Sequence, residues 1–198
     1  MKTEKPTTKI IAGKYRGKIL ELPSLDVTRS SKARLKESLF NVLQFDIIDK
    51  IFIESFAGSG SIGLEAISRG AKRAYFVELD RNSYQILLKN CKAVDMEKCQ
   101  TVQANTFVQT PLILDFLRNS KDEIVLYVDP PFDYRDGMDD IYVQSFDMIR
   151  NIDLDNIFIV VIEHVSTLEM PEVLGRFSLE KTKTFGKSAL SYYLYTQE

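Results

Sequence analysis

The sequence predicts an α/β fold: a parallel sheet covered by helices on both faces, closed by an antiparallel hairpin and preceded by a basic extension. Three observations predict it. From residue 51 to about residue 165, strand-like apolar runs alternate with helical patterns. Those runs are apolar at nearly every position instead of every second one, as in strands buried on both faces. The charge is also divided. Residues 1–41 hold ten Lys/Arg against four acids, a balance of +6, and the rest of the chain carries −8. With 198 residues, 44% apolar and 27% charged, the chain suffices for one domain with a full core and a small appendage. The predicted division is an extension over 1–45 and a main domain over 46–198.

The extension opens with "KIIAGKYRGKILELP". Two β-like runs, 9–12 and 18–22, flank "GKYRG", which predicts a hairpin ended by Pro23. Ser30 or Ser31 is placed to cap a helix over 33–43, with Leu35, Leu39, Val42 and Leu43 on one face. The alternation then begins. "KIFIESF" reads as a strand and "SIGLEAISR" as a helix stopped by Gly70. "RAYFVEL", "CQTVQAN", "EIVLYVD" and "NIFIVVIEH" read as further strands. "RNSYQILLKNCKAV", "PLILDFLRN" and "DDIYVQSFDMIRN" read as the helices between them. In the tail, "RFSLEKTKTF" and "LSYYLYTQ" switch to period two, the pattern of an antiparallel closing hairpin.

Composition narrows the chemistry. One histidine, His164, and two cysteines, Cys91 and Cys99, with no CxxC and no HExxH, predict no metal and two reduced thiols. No apolar run has the length of a membrane span, and "MKTEKPTTK" lacks the apolar stretch of a secretion signal, so the expectation is a cytoplasmic protein with no membrane contact. A basic end on an acidic body suggests a polyanion partner. The plainer reading is a solvated surface of mixed charge.

Residues 54–66 read "ESFAGSGSIGLEA". Gly58, Gly60 and Gly63 match GxGxxG between a strand and a helix, and Glu78 ends the next strand 20 residues after Gly58. Glycines let a backbone turn tightly and approach a nucleotide, and an acid so placed accepts from ribose hydroxyls. The pattern alone does not separate NAD from S-adenosylmethionine, and a turn that only packs a helix on a sheet is the structural alternative. Glu54, just before the loop, would repel a pyrophosphate but suits the cationic amino group of a methionine moiety. Asn105 ends the third strand, where its amide can meet an adenine; a plain turn asparagine is as good a reading.

Residues 129–134 read "DPPFDY" after a core strand. Asp129 falls at a strand's carboxyl end, as do Glu54 and Glu78, so all three acids should line one crevice. An exocyclic nucleobase amine is a poor nucleophile, because its lone pair is delocalised into the ring. Acceptance of its two N–H groups by Asp129 and by the Pro130 carbonyl favours a pyramidal nitrogen. Pro130 restricts both its own φ and that of Asp129, which holds the acceptors still. Phe132 can stack on the base, and Tyr134 can add a wall. A proline-rich turn is the structural alternative.

Together "FAGSGSIGLEAISRGA", "DPPF", "IIAGKYRGKIL" and "ARLKESLFNVL" resemble the bacterial RsmD family, over nearly the whole chain. The resemblance implies a seven-stranded, Rossmann-like class I methyltransferase sheet with its last strand antiparallel. It implies S-adenosylmethionine as cofactor and the N2 amine of one guanine in 16S ribosomal RNA, or in the small subunit, as target. It assigns Glu54, Phe56, Ala57, Gly58, Ser59 and Gly60 to the methionine part, Glu78 with Leu79 to the ribose, and Asn105 with Thr106 to the adenine side. Asp129, Pro130, Pro131 and Phe132 would hold the guanine, and Lys14, Arg16, Arg29, Arg34 and Tyr134 would face the RNA. The chain departs from the family's Arg-Pro-Thr-x-Asp-Arg at "RSSKAR", which lacks the proline and the aspartate. Glu54 and Asn105 also stand where the family commonly has Asp. The alternatives are a DNA amino-methyltransferase, which normally needs an added target-recognition region, an NAD-dependent oxidoreductase, and a non-catalytic RNA-binding or assembly factor. A monomer is the default expectation.

Overall fold

Five strands build the parallel part of the sheet: β3 (Ile51–Ser55), β4 (Arg73–Glu78), β5 (Cys99–Gln103), β6 (Ile124–Val128) and β7 (Ile157–Val165). The computed structural model describes residues 6–23, 29–131 and 140–196, and of residues 29–31 the backbone only. A small hairpin, β1 (Thr7–Lys9) with β2 (Ile19–Glu21), precedes the main sheet, as does α1 (Arg29–Leu43). Helices α2 (Ser61–Ser68), α3 (Arg81–Val94), α4 (Thr106–Phe116) and α5 (Ile141–Arg150) follow β3, β4, β5 and β6 in turn. The chain closes with β8 (Val173–Leu174), β9 (Phe177–Phe185) and β10 (Ser188–Tyr195).

The strand order is β5-β4-β3-β6-β7-β10-β9-β8, with β10 antiparallel to both β7 and β9. The seven expected strands are there, the last of them inserted antiparallel, and a two-residue edge strand, β8, is added. One face of the sheet, with Phe52, Phe76, Val125 and Tyr127, lies under α1, α2 and α3. The other, with Ile53, Val77, Leu126 and Val160, lies under α4 and α5. Both faces being buried explains the continuous apolar runs. Among the described residues, no helix is long and apolar enough to cross a membrane.

The structure corrects several boundaries. The first strand ends at Lys9, before most of the predicted run 9–12. The reason is a competing acceptor: Ile11 N and Ala12 N donate to the two carboxylate oxygens of Glu65 on α2, at 2.8 and 3.0 Å. The turn that follows is fixed to the end of the same helix, through Lys14 N on the Ser68 carbonyl and Tyr15 N on Ser68 Oγ. α1 starts at Arg29, so Ser30 and Ser31 lie inside its first turn and do not cap a helix begun at 33. α4 starts at Thr106, five residues before the proline that suggested its start, because Asn105 caps it through Phe107 N.

Glu65 is fully buried, and besides the two arm amides it meets Lys36 Nζ at 3.4 Å and Arg69 Nε at 2.8 Å. Removing one partner of a buried ionic group costs about 3–5 kcal/mol. Glu65→Ala should therefore lower stability by about that much in urea unfolding, and limited proteolysis should then cut within residues 6–23 first.

Candidate active site

The loop between β3 and α2 opens at the carboxyl end of the sheet. Phe56 has φ +63°, a left-handed conformation that a large side chain adopts only when its surroundings hold it there. Its ring meets Phe107 of α4 edge-on, with centroids 5.5 Å apart. Gly58 has φ +54°, and a Cβ added to it would meet no atom within 4 Å, so the backbone is bare on that side. A Cβ on Gly63 would lie 2.5 Å from the Phe76 ring and 2.9 Å from Glu54 Oε2. Gly58 thus leaves room above the loop, and Gly63 lets α2 sit close on the sheet.

Two acids fasten this loop from below and beside. Glu54 is 3% exposed, and its Oε2 accepts from Gly63 N at 2.7 Å. Burial pushes the Glu54 carboxyl up to about 8, against the Gly63 N–H, which favours its ionised form. Glu78 accepts from Gly58 N at 2.6 Å and from Asp80 N at 2.7 Å, one bond on each oxygen. Each carboxylate oxygen has a second lone pair, so this fixed carboxylate retains acceptor capacity. Ala57, Ser59 and Gly60 are buried within the turn, whereas Leu79 is exposed.

Asp129 follows β6 directly. Its N–H donates to the Ser55 carbonyl at the end of β3, 3.3 Å away, which sets it one strand from the glycine loop. Pro130 is buried and Pro131 exposed. Because Val128 pairs with Ile162, the next residues, Asp129 and Glu163, come side by side. Glu163 accepts from the Tyr127 hydroxyl at 2.5 Å. Lys32 of α1 lies 3.3 Å from both Asp129 Oδ2 and Glu163 Oε1. Burial, then the Glu163 charge, push the Asp129 carboxyl up to about 7, with Lys32 opposing.

Asn105 stands at the same end of the sheet, after β5, with its amide oxygen on Phe107 N; Thr106 behind it is buried. Lys14, Arg16 and Arg34 are exposed on the arm. Arg29 is in the first turn of α1. Phe132 and Tyr134 lie outside the described residues. Among the described residues, no three His, Cys, Asp or Glu gather as metal ligands would. Sequence reasoning passed over Glu163 and Lys32. Glu163 carries the same signal that marked Glu54 and Asp129, an acid at the end of an apolar strand. Lys32 carries none, since its partner Asp129 is 97 residues away.

A parallel sheet in this order, with a glycine loop after its central strand and an acid and two prolines after the neighbouring one, defines the fold of a class I methyltransferase. Residues 8–194 match the family described as Conserved hypothetical protein 95, and the chain belongs to that family, the one of the ribosomal RNA small subunit methyltransferase D proteins. It is 32% identical over 192 residues to the Ribosomal RNA small subunit methyltransferase D of Escherichia coli, covering 96% of this chain and 90% of that one. It is 38% identical over 133 residues, 66% of each chain, to the protein of the same name from Haemophilus influenzae. The solved structure of the Escherichia coli protein yhhF superposes with a TM-score of 0.72 at 29% identity, over 98% of this chain and all of that one.

The two glycines should respond differently to substitution. Gly58→Ala should cost about 1–2 kcal/mol, the strain of a left-handed backbone. Gly63→Ala, which must displace Phe76 or Glu54, should cost more. Chemical unfolding of both variants checks the order.

Proposed function

We propose that the protein transfers a methyl group from S-adenosylmethionine to the N2 amine of a guanine in small-subunit ribosomal RNA. One observation carries the reading. Asp129 and Pro130 directly follow a strand hydrogen-bonded to the one that bears the glycine loop, so an amine acceptor and a nucleotide-type loop share one rim. The relatives that match nearly the whole chain are named for ribosomal RNA methylation, which supports RNA as the substrate.

The residues fit the cofactor. The bare backbone at Gly58 admits a ligand and the fixed Glu78 carboxylate suits ribose hydroxyls; Glu54, buried with its Oε2 on Gly63 N, is assigned to the amino group on the sequence pattern alone. When bound, S-adenosylmethionine supplies a methyl group on a positively charged sulfur. Asp129 and the Pro130 carbonyl take the two N–H groups of the guanine amine, leaving its lone pair directed at that methyl group. Held by the glycine loop and Glu78, the sulfonium would supply its methyl group to that nitrogen and would keep the electron pair of the bond it loses. One amine proton then passes to Asp129 and on to solvent. A carboxylate poised near 7 suits that step better than an ordinary aspartate. Phe132 and Tyr134 are assigned the stacking role on the sequence pattern alone. Lys14, Arg16, Arg29 and Arg34 are assigned to phosphates.

The test is methyl transfer from labelled S-adenosylmethionine to unmodified small subunits, naked small-subunit RNA and duplex DNA, followed by nucleoside analysis. Label in N2-methylguanosine is expected, and label in DNA alone overturns the reading. Asp129→Ala should abolish transfer and leave cofactor affinity nearly unchanged; activity within a few-fold of wild type removes Asp129 from the chemistry.

Glu54 makes cofactor affinity depend on pH. A cation seated on this carboxyl favours its ionised form, so binding below pH 8 must expel a proton. Affinity should rise with pH up to about 8, approaching tenfold per unit below it. Calorimetry from pH 6 to 8.5 measures the slope, and Glu54→Gln should flatten it. A flat wild-type profile assigns Glu54 to the start of α2 alone.

A further inference from the structure

The rim holds one more charged side chain than the proposed transfer uses. Lys32 comes from α1, outside the strand-helix units, and its Nζ sits between two acids, 3.3 Å from Asp129 Oδ2 and 3.3 Å from Glu163 Oε1. The Glu163 side chain is 1% exposed, that of Asp129 23%, and that of Lys32 41%. Two carboxylates held together with little water cannot both ionise unless a cation joins them.

The other groups facing this pair do not supply one. From β6, Tyr127 donates its hydroxyl to Glu163 Oε2 and brings no positive charge. From β3, Glu54 is a third acid. From β7, His164 is engaged by the Val165 carbonyl and by Ser191 Oγ, and burial pulls its pKa down, which keeps it uncharged. Lys36, one turn along α1, is committed to Glu65 and to the Lys9 carbonyl. Among the described residues, Lys32 is the cation in ion-pair contact with Asp129 and Glu163.

We propose that Lys32 is a positioning residue for the transfer: it offsets Glu163, keeps Asp129 an ionised acceptor for the incoming amine, and completes the reaction centre only when α1 is docked on the sheet. The role in transfer rests on the methyltransferase reading; the electrostatic part concerns the free protein.

The two neighbours of Asp129 act on it in opposite directions. Burial and Glu163 raise its carboxyl, and Lys32 lowers it. Lys32→Met should therefore move the acid limb of the single-turnover rate to higher pH, and Glu163→Gln should move it lower. A shift of one unit corresponds to about a tenfold loss of rate on the acid side. Transfer by Lys32→Met should accordingly fall about fivefold at pH 7, where the shift starts from the midpoint, recover near pH 9, and be rescued throughout by Lys32→Arg. A merely structural lysine predicts something else, the same fractional loss at every pH with the limb unmoved, and that result overturns the proposal. So does a limb that moves the same way in both variants.

The carboxyl of Asp129 can also be titrated directly, by carbon NMR on the free protein, wild type and variant. Its midpoint should rise in Lys32→Met and fall in Glu163→Gln. If the wild type methylates no RNA, the functional reading has failed, and this titration decides the electrostatic part on its own: an unmoved midpoint in Lys32→Met overturns it. Thermal melting of each variant identifies any that is unfolded, and for such a variant Lys32→Gln replaces Lys32→Met.

Discussion

A carboxylate buried at the end of an apolar sheet costs several kcal/mol unless donors meet it, and that requirement organises this molecule. Glu54 is met by the first turn of α2, Glu78 by the glycine loop and the start of α3, and Glu163 by Tyr127 and Lys32. Glu65 is met by the backbone of the N-terminal arm. The tight turn, the helix starts and the docking of the arm are thus all places where the chain satisfies an acid. The same acids hold the strand ends, the glycine loop and the helix starts in register.

The two faces of the sheet are used unequally. Glu54, Tyr127 and Glu163 alternate in step with the apolar residues under α1, α2 and α3, so the polar machinery enters through that face. The other face is mostly aliphatic and aromatic, apart from two buried polar pairs: Ser55–Thr110, which ties α4 to the end of β3, and His164–Ser191 between β7 and β10. One side therefore carries charge, and the other gives the sheet a dry backing against which the strand ends are fixed.

The sequence made the architecture legible because strands buried on both faces leave apolar runs that few other elements leave. It singled out Glu54, Glu78 and Asp129 as candidates because an acid closing such a run is out of place unless donors meet it at the sheet's end. Glu163 was open to the same reasoning. Boundaries were lost where a less conspicuous cap outranked a conspicuous one, as Asn105 outranked Pro111. The hairpin strand was cut short by Glu65, an acceptor more than fifty residues away, and Lys32 was hidden for the same reason. Pairings of that span are set by the packing of whole elements, and no local pattern encodes them. Asn105 reads as either of two things because it is a helix cap set at the carboxyl end of the sheet.

The arm also supplies part of the core. Ile10 and Leu20 of the hairpin region and Leu35, Leu39, Phe40 and Leu43 of α1 pack in one cluster with Phe52, Ala66, Leu190 and Tyr192. This bears on how the basic segment is dissected genetically. Truncation would strip the sheet of a covering layer, and a lost phenotype would report collapse of the scaffold, whatever the segment touches. Charge reversal at exposed positions such as Lys14, Arg16 and Arg34, which leaves the apolar residues in place, tests the arm as a contact surface apart from its place in the core.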